Sequence, residues 1–494
     1  MGSHVCSGMT NIVILGISGL DADLLRVYGP SLPGIRHLML ESPFLECRST
    51  FPPQPASAWA SVYTGMNPAN SGITGILSSD EKVNDCCHQP SRQTLLQGRA
   101  FWDVARRAGK RVCVINPLLA NTTLLNDPGN RSSISESFPP LLDSRLISSL
   151  RKPAEFCHVL YERTSKQAAI GLKMFSRAPW DIFFLQLDAL DHVQHMLWRY
   201  SDPGDPNNPG RNTYAHLLPD FYHLFDQIIG SFCAAMQEEC VLVVVSGYGF
   251  GRRCIQRLQI NEWLRSQSLL RPRARSLHRF NWRYLTERRN ARSAALCAYL
   301  QSWDGFSGSK LAPAHCKSPR HTTFGINAEE TLAEGANLTG VSPFGGIRLN
   351  RVSIEQGKQA YEQVRATLLA NLVQLRVKDR RVVNWVKARE DVYTGPFIER
   401  FPDIVFELRS DFGVDAQLYV PLVTQDPLHR ILSGERTMNG VLLLGNLPAT
   451  MQVRDGMREP SVEDVAPTIL RMLGVTSANL DGKALVQLQP AKVT

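Results

Sequence analysis

The chain has no run approaching the roughly 18 apolar residues that a membrane-spanning helix needs. Its longest apolar stretches, such as VLVVVSG (241–247), suit buried strands, so no membrane span is expected. Heptads, fixed-period repeats and long polar tracts are absent, which excludes coiled coils, solenoids and linker-like disorder. The opening MGSHVCSGMT lacks an apolar signal core, and a cytoplasmic location is the expectation. The eleven cysteines are odd in number and scattered, with no C-x-x-C pair. That pattern argues against both a disulfide framework and a zinc–thiolate site.

What is present is an ordinary globular profile: 494 residues, 43% hydrophobic and 20% charged. The length suits one large domain carrying a sizeable insertion, or two domains. The net charge of +9 is unevenly spread. RPRARSLHRFNWRYLTERRNAR (271–292) holds eight arginines with Phe280, Trp282 and Tyr284 among them. Such a segment can hold an acidic protein partner, with nucleic acid not expected. It also reads as a solvated helix whose arginine stems cover apolar surface.

Apolar runs alternate with helical patterns. NIVILGISGLDADLL reads as strand, turn and helix; RAFWDVARRAGKRVCVINP (99–117) as helix and strand. DIFFLQLDALDHVQHMLWRY (181–200) reads as a buried strand, a polar loop and a helix. FYHLFDQIIGSFCAAMQEECVLVVVSGYGFG (221–251) reads as a helix, a strand and a Gly-rich loop. This predicts an α/β fold with a mostly parallel sheet flanked by helices and its site residues at the sheet's carboxyl edge. The texture changes between 252 and 429, where YEQVRATLLANLVQLRV (361–377) predicts an amphipathic helix. The expected division is a core of 8–251 and 430–490 with an inserted α+β cap of 252–429.

GISGLDADLL, FPPQPASAWASVYTGMNPANSGI, FWDVARRAGKRV, LDALDHVQHMLWRYSDP, VVVSGYGFG, INEWL, FGGIRLN, PDIVFEL, VAPTILRMLGV and LDG follow in that order. With them the chain resembles the type I phosphodiesterase and nucleotide pyrophosphatase branch of the alkaline phosphatase superfamily. The resemblance implies an alkaline phosphatase-like core. It also implies two metal ions, usually zinc, held by aspartates and histidines beside a threonine or serine nucleophile. Position by position, this chain departs from that pattern. Ser18 stands where the first aspartate belongs, and Pro55 where the nucleophile belongs. Gly247 and Tyr248 replace an Asp-His pair, and Arg436 replaces the last histidine. Asp191 and His195 keep their D-x-x-x-H spacing. Two ligands fall short of the roughly three protein ligands a catalytic zinc takes, so neither a metal site nor a cofactor is expected.

Three functional readings follow. In the first, Ser18, Asp191, His195, Tyr248 and Arg436 converge in a repurposed pocket. His195 would be a base oriented by Asp191, Tyr248 an acid, and Arg436 with Ser18 and Ser57 the grip on an anionic ligand. That ligand would be a small anion or a substrate borne by a carrier protein. In the second, the fold persists as a non-catalytic scaffold or regulator. In the third, one metal remains on Asp191, His195 and a further ligand. Beside these stand plainer roles. Asp191 and His195 can bond each other, Arg436 can pair with Asp191, and Tyr248 can pack. Asp21, Asp188 and His192 rank below the named residues, and Thr50 stands near the lost nucleophile.

Overall fold

The computed structural model describes residues 11–74, 95–119, 133–136, 146, 149–150, 152–273, 326–336, 338–357, 360–454, 456 and 458–488. In chain order the elements that build the core begin with strand β1 (Ile12–Ile17), helix α1 (Ala22–Tyr28), strand β2 (Phe44–Arg48) and helix α2 (Pro55–Thr64). Helix α3 (Phe101–Arg107), strands β3 (Val112–Ile115) and β4 (Ser133–Glu136), and the long helix α4 (Pro153–Phe175) come next. They lead into strand β5 (Ile182–Leu187), helices α5 (Ala189–Ser201) and α6 (Leu217–Ala235), and strands β6 (Val241–Ser246) and β7 (Gly249–Arg252). A second group holds strands β8 (Ala333–Ala336) and β9 (Phe344–Leu349), helix α7 (Tyr361–Val373), and strands β10 (Val383–Ala388) and β11 (Ile404–Leu408). The chain then returns through strands β12 (Gly434–Thr437) and β13 (Asn439–Gly445) and helix α8 (Val465–Met472).

The main sheet has the order β2-β13-β6-β1-β5-β3-β4. β6, β1, β5, β3 and β4 run parallel, while β13 is antiparallel to both β6 and β2. This is the expected α/β architecture. Its central strands are apolar on both faces because helices cover both. Val13, Leu15 and Ile17 of β1 enter a core with Phe156, Phe221 and Phe225. Ile12 and Ile14 enter another with Trp59, Tyr63 and Ile469. The period of two along a strand sends neighbours to opposite faces. β8 to β11 form a separate antiparallel sheet in the order β10-β11-β9-β8, with its own core around Leu258, Ile347, Leu368 and Phe406.

Two local expectations need correction. The predicted helix over 361–377 ends at Val373; Arg376–Val377 instead pairs with Arg380–Arg381 in a tight hairpin. Lys378 and Asp379, both at positive φ, make its two-residue turn, as two-residue hairpin loops favour. The polar loop expected after β5 does not exist: α5 starts at Ala189, one residue past Asp188. The basic segment 271–292 lies outside the described residues from 274 onward. Among the described residues no helix is long and apolar enough to cross a membrane.

Candidate functional site

Adjacency in the sheet explains how distant residues meet. β6, β1 and β5 are neighbours and parallel, so their carboxyl ends share one edge. Ser18 follows β1, Asp188 and Asp191 follow β5, and Gly247 and Tyr248 follow β6. The Ser18 amide donates to Leu187 O at 3.0 Å, and the Gly19 amide to Ser246 Oγ at 3.1 Å, which stitches the three ends together. Arg436 arrives on β12, which pairs antiparallel with β7 so that Arg436 faces Phe250. β12 also lies on α5, with the Ser433 amide on His195 O at 2.8 Å. Gly434 permits that approach, because a Cβ there would stand 2.2 Å from Gln194 O.

Five of the six expected residues gather here. Arg436 donates from Nε to Asp191 Oδ1 at 2.7 Å and from Nη2 to Asp191 Oδ2 at 2.9 Å, a bidentate pair. His195, one turn along α5, keeps Nε2 3.8 Å from Asp191 Oδ2 and Nδ1 2.9 Å from Gly434 O. The Arg436 guanidinium lies 5.5 Å from the centre of the Tyr248 ring. Ser18 donates to Asp188 Oδ1 at 2.6 Å and accepts from Trp59 Nε1 at 3.1 Å. Ser57, the sixth, turns to the loop before α2 instead. Its hydroxyl stands 3.0 Å from Thr50 Oγ1 and donates to Gln54 O at 3.2 Å. It stands apart from the other five, within the loop and first turn around α2. Pro55 is the first residue of α2, where a missing N–H costs nothing.

The cluster has no open face. Ser18, Ser57, Asp191, His195, Tyr248 and Arg436 are each at most 3% exposed. A groove of about 400 Å³ lies elsewhere, between α4 and α6, lined by Tyr161, Asp220 and His223 among others; none of the six residues lines it.

A family model described as type I phosphodiesterase / nucleotide pyrophosphatase matches residues 12–417. The chain belongs to that family. Solved structures with the same fold include phosphonoacetate hydrolase from Sinorhizobium meliloti 1021 with phosphonoformate, at 15% identity and TM-score 0.54, covering 94% of this chain and 96% of that one. Another is murine ectonucleotide pyrophosphatase / phosphodiesterase 5, an inactive variant in complex with AMP, at 12% identity and TM-score 0.51, covering 96% and 97%. No curated protein sequence matches the chain.

The metal ions of a type I phosphodiesterase do not fit the residues present. Among the described residues no group of three or more His, Cys, Asp or Glu side chains stands so as to hold a metal ion. Both oxygens of Asp191 are taken by a cationic guanidinium, which would repel a second cation. Charges are tuned accordingly. Burial pushes the Asp191 carboxyl up, but Arg436 outweighs it and His195 adds to the pull, leaving it at about 2. Burial and then the Arg436 charge drive His195 down to about 3. His192 falls to about 3, chiefly through burial. Asp188, beyond reach of the guanidinium, is lifted by burial to about 6 against the hydrogen bonds from Ser18 and Gln186. Burial raises the Tyr248 phenol far above its ordinary range.

Several residues that build this phosphodiesterase-like site were not singled out from sequence. Trp59 and Gln186 hold Ser18 and Asp188, with Gln186 Nε2 3.0 Å from Asp188 Oδ1. Gln194 Nε2 donates to Gly19 O at 2.6 Å. Asp21, ranked low as a ligand, is structural: it caps α1 through the Leu24 amide at 2.9 Å and accepts the Phe250 amide at 3.0 Å. A capping aspartate directly before a helical pattern is a readable signal; Trp59 and the glutamines carry none.

Proposed function

We propose that this member of the phosphodiesterase family does not perform two-metal phosphodiester hydrolysis and serves as a non-catalytic binding or regulatory protein. One observation carries the reading: the polar residues left at the old metal and nucleophile positions are sealed from solvent and held by one another. Hydrolysis needs a hydroxyl presented to phosphorus and cationic groups aimed at its oxygens. Here Pro55 offers no hydroxyl, and the Arg436 charge is directed into Asp191.

The same geometry weighs against metal-free acid–base chemistry. A general base works best with a pKa near the operating pH, and an imidazole at about 3 accepts protons poorly at neutrality. Tyr248, held far above its ordinary range, is an equally weak acid.

The test is hydrolysis of bis(p-nitrophenyl) phosphate and a nucleotide p-nitrophenyl ester by protein saturated with zinc, with metal content measured in parallel. The expected outcome is no turnover above the buffer rate and no stoichiometric zinc. Zinc-dependent turnover abolished by Asp191→Ala would overturn the reading.

A further inference from the structure

We infer that Arg436 is the resident cation of this site: a tethered guanidinium that does the electrostatic work of the family's metal ions, and whose removal leaves a hole that takes a free guanidinium. The inference rests on the non-hydrolytic reading and adds to it a ligand chemistry.

Charge balance is the first support. Asp188, Asp191 and Glu435 are all buried in this region, and Arg436 is the group that holds both oxygens of Asp191. Glu435 is paired with Arg253 Nη1 at 2.5 Å. Asp191 therefore depends on Arg436 for a counter-charge. Left alone, a carboxylate this deeply buried would be strongly disfavoured.

Geometry is the second support. The guanidinium meets Asp191 edge-on through Nε and Nη2, and Tyr248 lies beside it. Nη1 is buried and makes no hydrogen bond. The guanidinium thus keeps one donor beyond its pair with Asp191. The anchor is rigid: β12 is fixed to α5 through Ser433 and Gly434, so the charge is delivered to Asp191 by the backbone.

The experiment is thermal unfolding of Arg436→Ala with methylguanidinium at millimolar concentration. Sodium chloride at equal ionic strength and neutral methylurea serve as controls. Truncation should lower the melting temperature by about 3–5 °C. Methylguanidinium should restore part of that loss saturably, as binding to the folded state requires. The controls should not, and the wild-type chain should show no such rise. No rescue, or equal rescue by methylurea, overturns the inference.

Should Arg436→Ala not fold, the neutral pair Asp191→Asn with Arg436→Gln decides. It should be more stable than the sum of its two single variants; strict additivity overturns the inference. Zinc added to the wild-type chain separates the two ideas. A zinc-induced rise in melting temperature with hydrolysis would sink the non-hydrolytic reading. Inert zinc together with absent rescue would sink only the tethered-cation inference.

Discussion

Two buried ion-pair systems stand side by side on β12 and differ in completeness. Beside β12, Arg253 reaches both Asp426 at 3.1 Å and Glu435 at 2.5 Å, and Arg257 reaches Asp426 at 2.7 Å and Asp415 at 3.2 Å. Asp426 also accepts the Leu428 amide at 3.0 Å. Each guanidinium has two acids, and the central acid has two guanidiniums. One residue from Glu435, Arg436 has a single acid and a donor left over. The first network has the closure of a joint whose parts were selected together. The second is asymmetric, with one acid and one donor left over, as the proposed reading of Arg436 in place of a metal ligand expects. The Arg436–Asp191 pair is also the more deeply buried, with both side chains 1% exposed against 11% for Glu435 and 16% for Asp415.

The largest effect that tests this comparison is expected at Asp426. Asp426→Asn strips a counter-charge from two buried guanidiniums at once and should cost about 3–5 kcal/mol or more in urea unfolding. Asp191→Asn strips it from one and should cost less. A reversed order would mean the Asp191 pair is the true joint.

Next comes pH. His192 and His195 sit at about 3 in the folded chain against about 6.5 when unfolded, so the unfolded chain binds more protons between those values. Their contribution is full above about 6.5 and is lost as pH falls toward 3, with Asp191 adding its own loss below about 4. Asp188 acts oppositely. Its folded value near 6 exceeds the unfolded one, so its contribution fades as pH rises through 6. Burial also raises Asp21, Asp103, Glu407, Glu435 and Glu463, which act in the same sense as Asp188, so the share of the two imidazoles is read from variants against the wild-type slope between pH 6.5 and 4. His195→Gln should flatten that slope; an unchanged slope would show that His195 is not held neutral.

The smallest effect is expected at Ser18. Ser18→Ala removes one donor to Asp188 and one acceptor from Trp59, at a cost of about 1 kcal/mol. A loss as large as that of Asp191→Asn would extend the tightly coupled cluster to the far side of the pocket.

The sequence made the fold legible because strands buried on both faces read as continuous apolar runs, as in IVILGI and VLVVVS. The gathering of Ser18, Asp191, His195, Tyr248 and Arg436 was legible from their register in a familiar frame. Their closure was not. It depends on Trp59 reaching Ser18 across 41 residues and Gln186 turning toward Asp188, and neither residue type announces such a role. The missing loop after β5 was misread because DALDH is polar, although the chain there is already helix with Asp191 in its first turn. Ser57 misled for a similar reason: hydroxyls early in a helix turn as readily to nearby carbonyls as to a ligand.

Gly247 bears on the history of such a chain. A Cβ at that position would stand 3.1 Å from the Cβ of Ala58 on α2, tighter than carbon atoms ordinarily pack. An aspartate placed at 247 would thus crowd Ala58. A histidine returned to 436 would strand the Asp191 charge, and a threonine returned to 55 would find no metal to activate it. Each backward step is uphill until several have been taken together. On the proposed non-hydrolytic reading, single substitutions would therefore not restore hydrolysis, and several positions would have to change together.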